Sequence, residues 1–169
     1  MLLVNAQKVI EEKGEELANA VEKEGIETFF TTGEDAIKKH LHISDSDITQ
    51  LVNESCDYCR RNEWDQALKC LECLVFFEPT NPHHLLRMGA VLMQLGNIQE
   101  ATQVLATASC VNPENPIPYL YLGNCFLELQ KKHEAREMFQ ECANLSKNQS
   151  EYAEVFVLAN EGVAQTGNF

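Results

Sequence analysis

Positive charge is in short supply: thirteen lysines and arginines stand against twenty-six aspartates and glutamates, a formal charge of −13. Such a chain repels phosphate backbones and anionic headgroups at long range, so nucleic acid and acidic membranes are poor partners for it. Long apolar runs are also missing. Met1-Leu2-Leu3-Val4 is followed at once by Asn5, Gln7 and the charged stretch from Lys8 to Glu16, which leaves no signal-peptide core, and no later run approaches a membrane span. There is no glycine-rich phosphate loop, and the histidines at 40, 42, 83, 84 and 133 are scattered without a nucleophile and base at triad spacing. The chain therefore reads as a non-enzyme that needs no cofactor. With only five prolines and 44% apolar residues it also lacks the composition of a disordered chain. Its 169 residues can bury a purely hydrophobic core. Seven cysteines, an odd number with no export signal, fit a reduced cytoplasm.

What is present is a period. Ala67, Ala101 and Ala135 recur every 34 residues, as do Pro79 and Pro113. Leu71, Leu105 and Phe139 keep the same spacing, and so do Tyr58, Leu92 and Phe126, Gly89 and Gly123, and Leu51, Leu85 and Tyr119. A 34-residue period with small, aromatic and proline positions in these slots is the tetratricopeptide signature, one antiparallel helix pair per repeat. The physical reading is independent of the name. Glycine and alanine let the two helices of a pair approach closely, and the large residue one turn beyond each alanine fills the space they leave. Pro79 and Pro113 stop the second helix.

The expected fold is an all-α tetratricopeptide-repeat solenoid of three helix pairs with an N-terminal helical arm and a C-terminal capping helix. Residues 1–47 form the arm, residues 48–147 hold the repeats (48–81, 82–115 and 116–147), and residues 148–169 are the capping helix and tail. Helices are predicted at about 47–61, 64–77, 82–95, 98–111, 116–130 and 132–146, with Ser44 and Asp47 spaced as a capping box before the first. Lys147 replaces the stopping proline in the third repeat, so that helix should end less sharply. Tyr152, Val155, Phe156, Ala159 and Val163 lie at helical spacing and would cover the last repeat, as a solenoid end requires. In the arm, Val9, Ile10, Leu17 and Val21 make an apolar stripe on an acidic helix that either packs on its own repeats or pairs two copies into a homodimer.

The concave side of such a solenoid is lined by the first helix of each pair and is its usual binding surface. Its inward slots hold Val52, Cys56 and Cys59 in the first repeat, Leu86, Ala90 and Met93 in the second, and Ile117, Leu120, Asn124 and Leu127 in the third. Thr49, Arg60, His83, Gln94 and Glu128 complete the set. An apolar groove argues for a hydrophobic peptide ligand, unless the protein's own arm or C-terminal helix lies in it. The amide of Asn124 can pair with the backbone of an extended peptide. A clamp for an acidic carboxylate would need Lys, Arg and Asn where Val52, Cys56, Leu120 and Tyr121 stand, and only Arg87 and Asn124 partly fit. Cys56-x-x-Cys59 and Cys70-x-x-Cys73 have zinc-like spacing, but they fall mid-helix without a tight turn and read as small apolar filler rather than a metal site.

The order and local wording of these pieces resemble the class II chaperones of bacterial type III secretion systems. The stretch Met88-Gly89-Ala90-Val91-Leu92-Met93-Gln94-Leu95-Gly96 is similar to that family's second repeat, and Pro116 and Pro118 followed by Cys125 to its third. The resemblance implies a cytoplasmic bacterial protein whose partners are hydrophobic translocator proteins. It would clamp a short extended client segment with Leu86, Ala90 and Met93 at the centre, and dimerise through the N-terminal helix. This chain departs from the family in the first repeat, where often-aromatic slots hold Val52, Cys56 and Cys59. The alternative from another class is a tetratricopeptide scaffold or regulatory adaptor joining soluble proteins.

Overall fold

A computed structural model describes Lys38 and residues 43–167. The stripe of Val9, Ile10, Leu17 and Val21 and the extent of the arm lie outside the described residues. The described chain is all-helical: α1 (Asp45–Arg60), α2 (Trp64–Phe77), α3 (Pro82–Gln94), α4 (Ile98–Val111), α5 (Pro116–Glu128), α6 (Lys132–Ser146), a 3-10 turn (Ser150–Tyr152) and α7 (Ala153–Thr166). The bounds match the expected pairs to within two residues, except that the last helix starts later because the 3-10 turn precedes it.

The periodic residues explain the helices and the turns alike. The first helix of each pair ends at a residue with a left-handed backbone, Asn62 (φ 59°), Gly96 (φ 78°) and Gln130 (φ 59°), again 34 residues apart. In each case the following amide reaches back to the carbonyl of the periodic Tyr58, Leu92 or Phe126, at 2.9, 2.9 and 2.8 Å. These bonds satisfy carbonyls that a helix end otherwise leaves without partners. Each second helix ends alike in the first two repeats, where Glu78 N–H donates to Leu74 and Asn112 N–H to Ala108. In the third, Lys147 keeps helical angles (φ −51°, ψ −35°), the softer ending that the missing proline predicts.

The chain divides into two compact units, residues 1–84 and 85–169. In the first, α1 packs on α2. Its core holds Leu51, Ala67, Cys70, Leu71, Leu74 and Phe77, each at most 1% exposed. The capping box forms as expected: Ser44 Oγ accepts from Asp47 N–H at 3.2 Å, and Asp47 Oδ2 accepts from Ser44 N–H at 2.9 Å. The Ser44 hydroxyl also donates to Asp47 Oδ2 at 2.6 Å, and this bond first, with that from the Ser44 amide second, holds the Asp47 carboxyl below its usual range. A cluster at the end of α2 ties distant residues together. Glu78 Oε1 accepts from Lys38 Nζ at 2.8 Å, and its Oε2 accepts from Asn81 Nδ2 at 2.9 Å and lies 2.9 Å from Nε2 of the buried His84.

In the second unit, α5 packs on α4, α6 and α7, and α6 on α7. A methyl group on Gly89 would lie 2.5 Å from Cγ of Leu105, so α3 and α4 meet where the sequence places its small residue. Phe139 of α6 packs against two glycines. Side chains on Gly123 of α5 or on Gly162 of α7 would both run into its ring. Ala101, Leu105, Ala108, Cys125, Ala135, Phe139 and Cys142 are buried around these contacts. Asn115 caps α5 by accepting from Ile117 N–H at 3.0 Å, and Pro116 follows at the first helical position, where no amide is needed.

Candidate functional site

A binding surface on a helical repeat requires side chains that are anchored on the helices yet still accessible. Along α1, Leu51 and Ser55 are buried against α2, whereas Val52, Cys56 and Cys59 are half-buried and Thr49 and Arg60 exposed. In the second unit Leu85, Gly89 and Leu92 are buried, while Leu86, Ala90 and Met93, one position further on in each case, are half-buried. On α5, Leu122, Gly123 and Cys125 form the buried face. Ile117, Leu120 and Leu127 are half-buried beside them, and Asn124 is exposed. The apolar members of the predicted inward slots thus share one state, half-buried on the helices, whereas the polar ones, Thr49, Arg60 and Asn124, are exposed.

The cysteines separate by environment. Cys70 and Cys73 are buried on α2. Burial, with the nearby Glu54 carboxylate second, pushes the Cys70 thiol up to about 12, and burial pushes Cys73 to about 11. Such thiols stay protonated and inert, the state expected of apolar filler. Cys142, raised to about 11 by burial, behaves the same way, and Cys110 is exposed. Among the described residues no group of three or more metal-ligating side chains comes together.

Within the second unit the surface opens into a cavity of about 640 Å³ lined by Met93, Asn124, Leu127, Glu128, Gln130 and Gln165. Met93, Asn124 and Leu127 are predicted groove residues, now brought side by side. The remaining lining alters the expectation of an apolar groove, because four of the six residues carry polar side chains. Two of these four, Asn124 and Glu128, are inward slots, and the other two lie outside that set. Gln130 belongs to the left-handed turn after α5, and Gln165 to the last turn of α7, outside the repeats. The C-terminal helix does not fill this cavity; it supplies part of its wall. A capping helix whose last turn carries a carboxamide was the available signal, and the 34-residue register does not extend to it.

The tetratricopeptide repeat family matches residues 92–155. No curated protein matches the chain. Among solved structures, a type III secretion complex from Aeromonas hydrophila superposes with a TM-score of 0.78 at 20% identity, covering 83% of this chain and 93% of that one. PcrH bound to the chaperone-binding region of PopD gives 0.71 at 20% identity, covering 73% and 92%. The Yersinia enterocolitica type III secretion translocator chaperone SycD gives 0.71 at 17% identity, covering 76% and 96%. The chain therefore has the tetratricopeptide helical-repeat fold that these chaperones have.

Proposed function

We propose that this protein is a cytoplasmic, non-enzymatic chaperone of a type III secretion system that holds an extended hydrophobic segment of a translocator protein and keeps it soluble and export-competent. One observation carries the reading. Apolar side chains stand accessible at the predicted inward slots of a fold shared with chaperones, two of which, PcrH and SycD, have been captured with translocator segments. Burying such side chains against a client releases water from apolar surface on both partners, the dominant favourable term in association. Leu86, Ala90, Met93, Ile117, Leu120, Asn124 and Leu127 of the second unit are the proposed contacts. Val52, Cys56 and Cys59 of the first unit are proposed for the same client.

The test is Ala90→Glu. Ala90 is half-buried, one position from the buried Gly89, so a carboxylate there can reach solvent without entering the core, yet would be desolvated by an apolar client. The variant should keep its helical circular dichroism and lose a membrane-active client captured from native lysate by the wild-type protein. Soluble partners retained by both proteins would favour the adaptor reading and remove this one. Homodimerisation through Val9, Ile10, Leu17 and Val21 belongs to the same proposal. Sedimentation velocity tests it, and a monomer at micromolar concentration would refute that part.

A further inference from the structure

The cavity beside Asn124 lies where three helices finish. Met93 is in the last turn of α3, Leu127 and Glu128 in the last turn of α5, and Gln165 in the last turn of α7. A helix C-terminus carries about half a negative charge, spread over carbonyls that point along the axis, and attracts cations. The turn amides that cap these carbonyls occupy one lone pair each and leave the dipoles in place. Natural sequences often neutralise such ends with a basic residue in the last turn, and none of these three helices has one. Glu128 adds a full carboxylate at the same spot. Cations stand near without lining the cavity: Lys131 lies over the Phe126 ring, 6.0 Å from its centroid, and Arg136 approaches Gly167 beyond the end of α7.

The rest of the lining is compatible with the same ligand. Asn124, Gln130 and Gln165 carry carboxamides whose oxygens can accept hydrogen bonds from an ammonium or guanidinium group, while Met93 and Leu127 offer apolar surface to its methylene stem. Charge complementarity agrees, since a chain of formal charge −13 favours a basic segment over an acidic one.

We propose that this cavity is a subsite for a lysine or arginine side chain of the bound client, so that the preferred segment pairs apolar residues with one basic residue at a fixed offset. The inference rests on the peptide-binding reading above and adds a specificity that an apolar groove would not have. The basic residue also fixes the direction and register of an extended segment, which apolar contacts alone determine weakly.

Two measurements test it. An array of nine-residue apolar peptides carrying arginine or its uncharged isostere citrulline at each position is probed with wild type, Glu128→Gln and Gln165→Lys, each checked for native circular dichroism. Wild type should favour arginine at one position by about threefold, the strength of a solvent-accessible ion pair, and both variants should bring that ratio to one. In parallel, N-acetyl-arginine amide should shift the side-chain amide resonances of Asn124, Gln130 and Gln165 in wild type and not in Glu128→Gln, with N-acetyl-citrulline amide silent. Apolar binding without an arginine preference, or no resonance shift, overturns the subsite and leaves the chaperone reading standing. An array without any binding, beside a positive resonance shift, overturns peptide capture and keeps the cation site.

Discussion

Phe139 shows how one side chain can fix the distance between three helices. Its ring is 1% exposed and packs against a glycine from α5 and a glycine from α7. A methyl group at Gly123 would need the ring to move, and the ring is also packed against Gly162. Overpacking of this kind costs about 1–3 kcal/mol, against a gain of about 1 kcal/mol from replacing a helical glycine by alanine. Gly123→Ala should therefore lower stability by about 1 kcal/mol, read as a lower urea midpoint at unchanged slope. Phe139→Leu in that background should recover part of the loss, because the two changes share one contact. Gly123 is legible in the sequence through its partner Gly89. Gly162 is not, since it stands outside the 34-residue register and becomes meaningful only when α7 is laid on α6.

Among the elements, the connection between α2 and α3 is held by charge as well as by proline. Glu78 is 13% exposed by side chain and Lys38 12%. Burial by itself would raise the Glu78 carboxyl, but hydrogen bonds from Lys38, Asn81 and His84 outweigh it and hold the group below its ordinary 4.5. A carboxyl lowered on folding stabilises fully above the unfolded value and loses that contribution as pH falls through the folded one. Thermal stability of the wild type should thus drop on acidification below about 4.5, and Glu78→Gln, already weaker at neutral pH, should drop less over the same range. Equal slopes for the two proteins in a melting series from pH 7 to pH 3 would show that Glu78 is not the group responsible. Helix spacing and the capping box at Ser44 and Asp47 can be read from the chain because they are local. The bond from Lys38 to Glu78 spans forty residues with no periodic partner, and only the fold brings its ends together. The left-handed Gln130 escapes for a different reason: a long side chain gives no hint of positive φ, which Gly96 signals in the preceding repeat.

On the scale of the molecule, repetition accounts for how much of the architecture the sequence discloses and how little of the site. Three copies of one pattern identify the core-facing alanines and leucines, and by subtraction the accessible slots beside them. Of the four residues that give the cavity its polarity, Asn124 and Glu128 lie within the repeat, and Gln130 and Gln165 stand where repetition stops, at a turn and on the terminal helix. α7 combines two roles in consequence: Gly162 covers Phe139, and one turn on, Gln165 walls the cavity. Seating of that last turn and occupancy of the cavity are then a single equilibrium, in which a ligand that needs Gln165 in place must suppress local opening of the helix. Amide hydrogens from Ala159 to Thr166 should exchange more slowly when an arginine-bearing peptide is bound, while those of α2 keep their rates. Protection spreading equally over both helices would mean that ligand binding merely raises global stability. A slowing confined to α7 would make this helix the part of the protein that senses whether the cavity is filled.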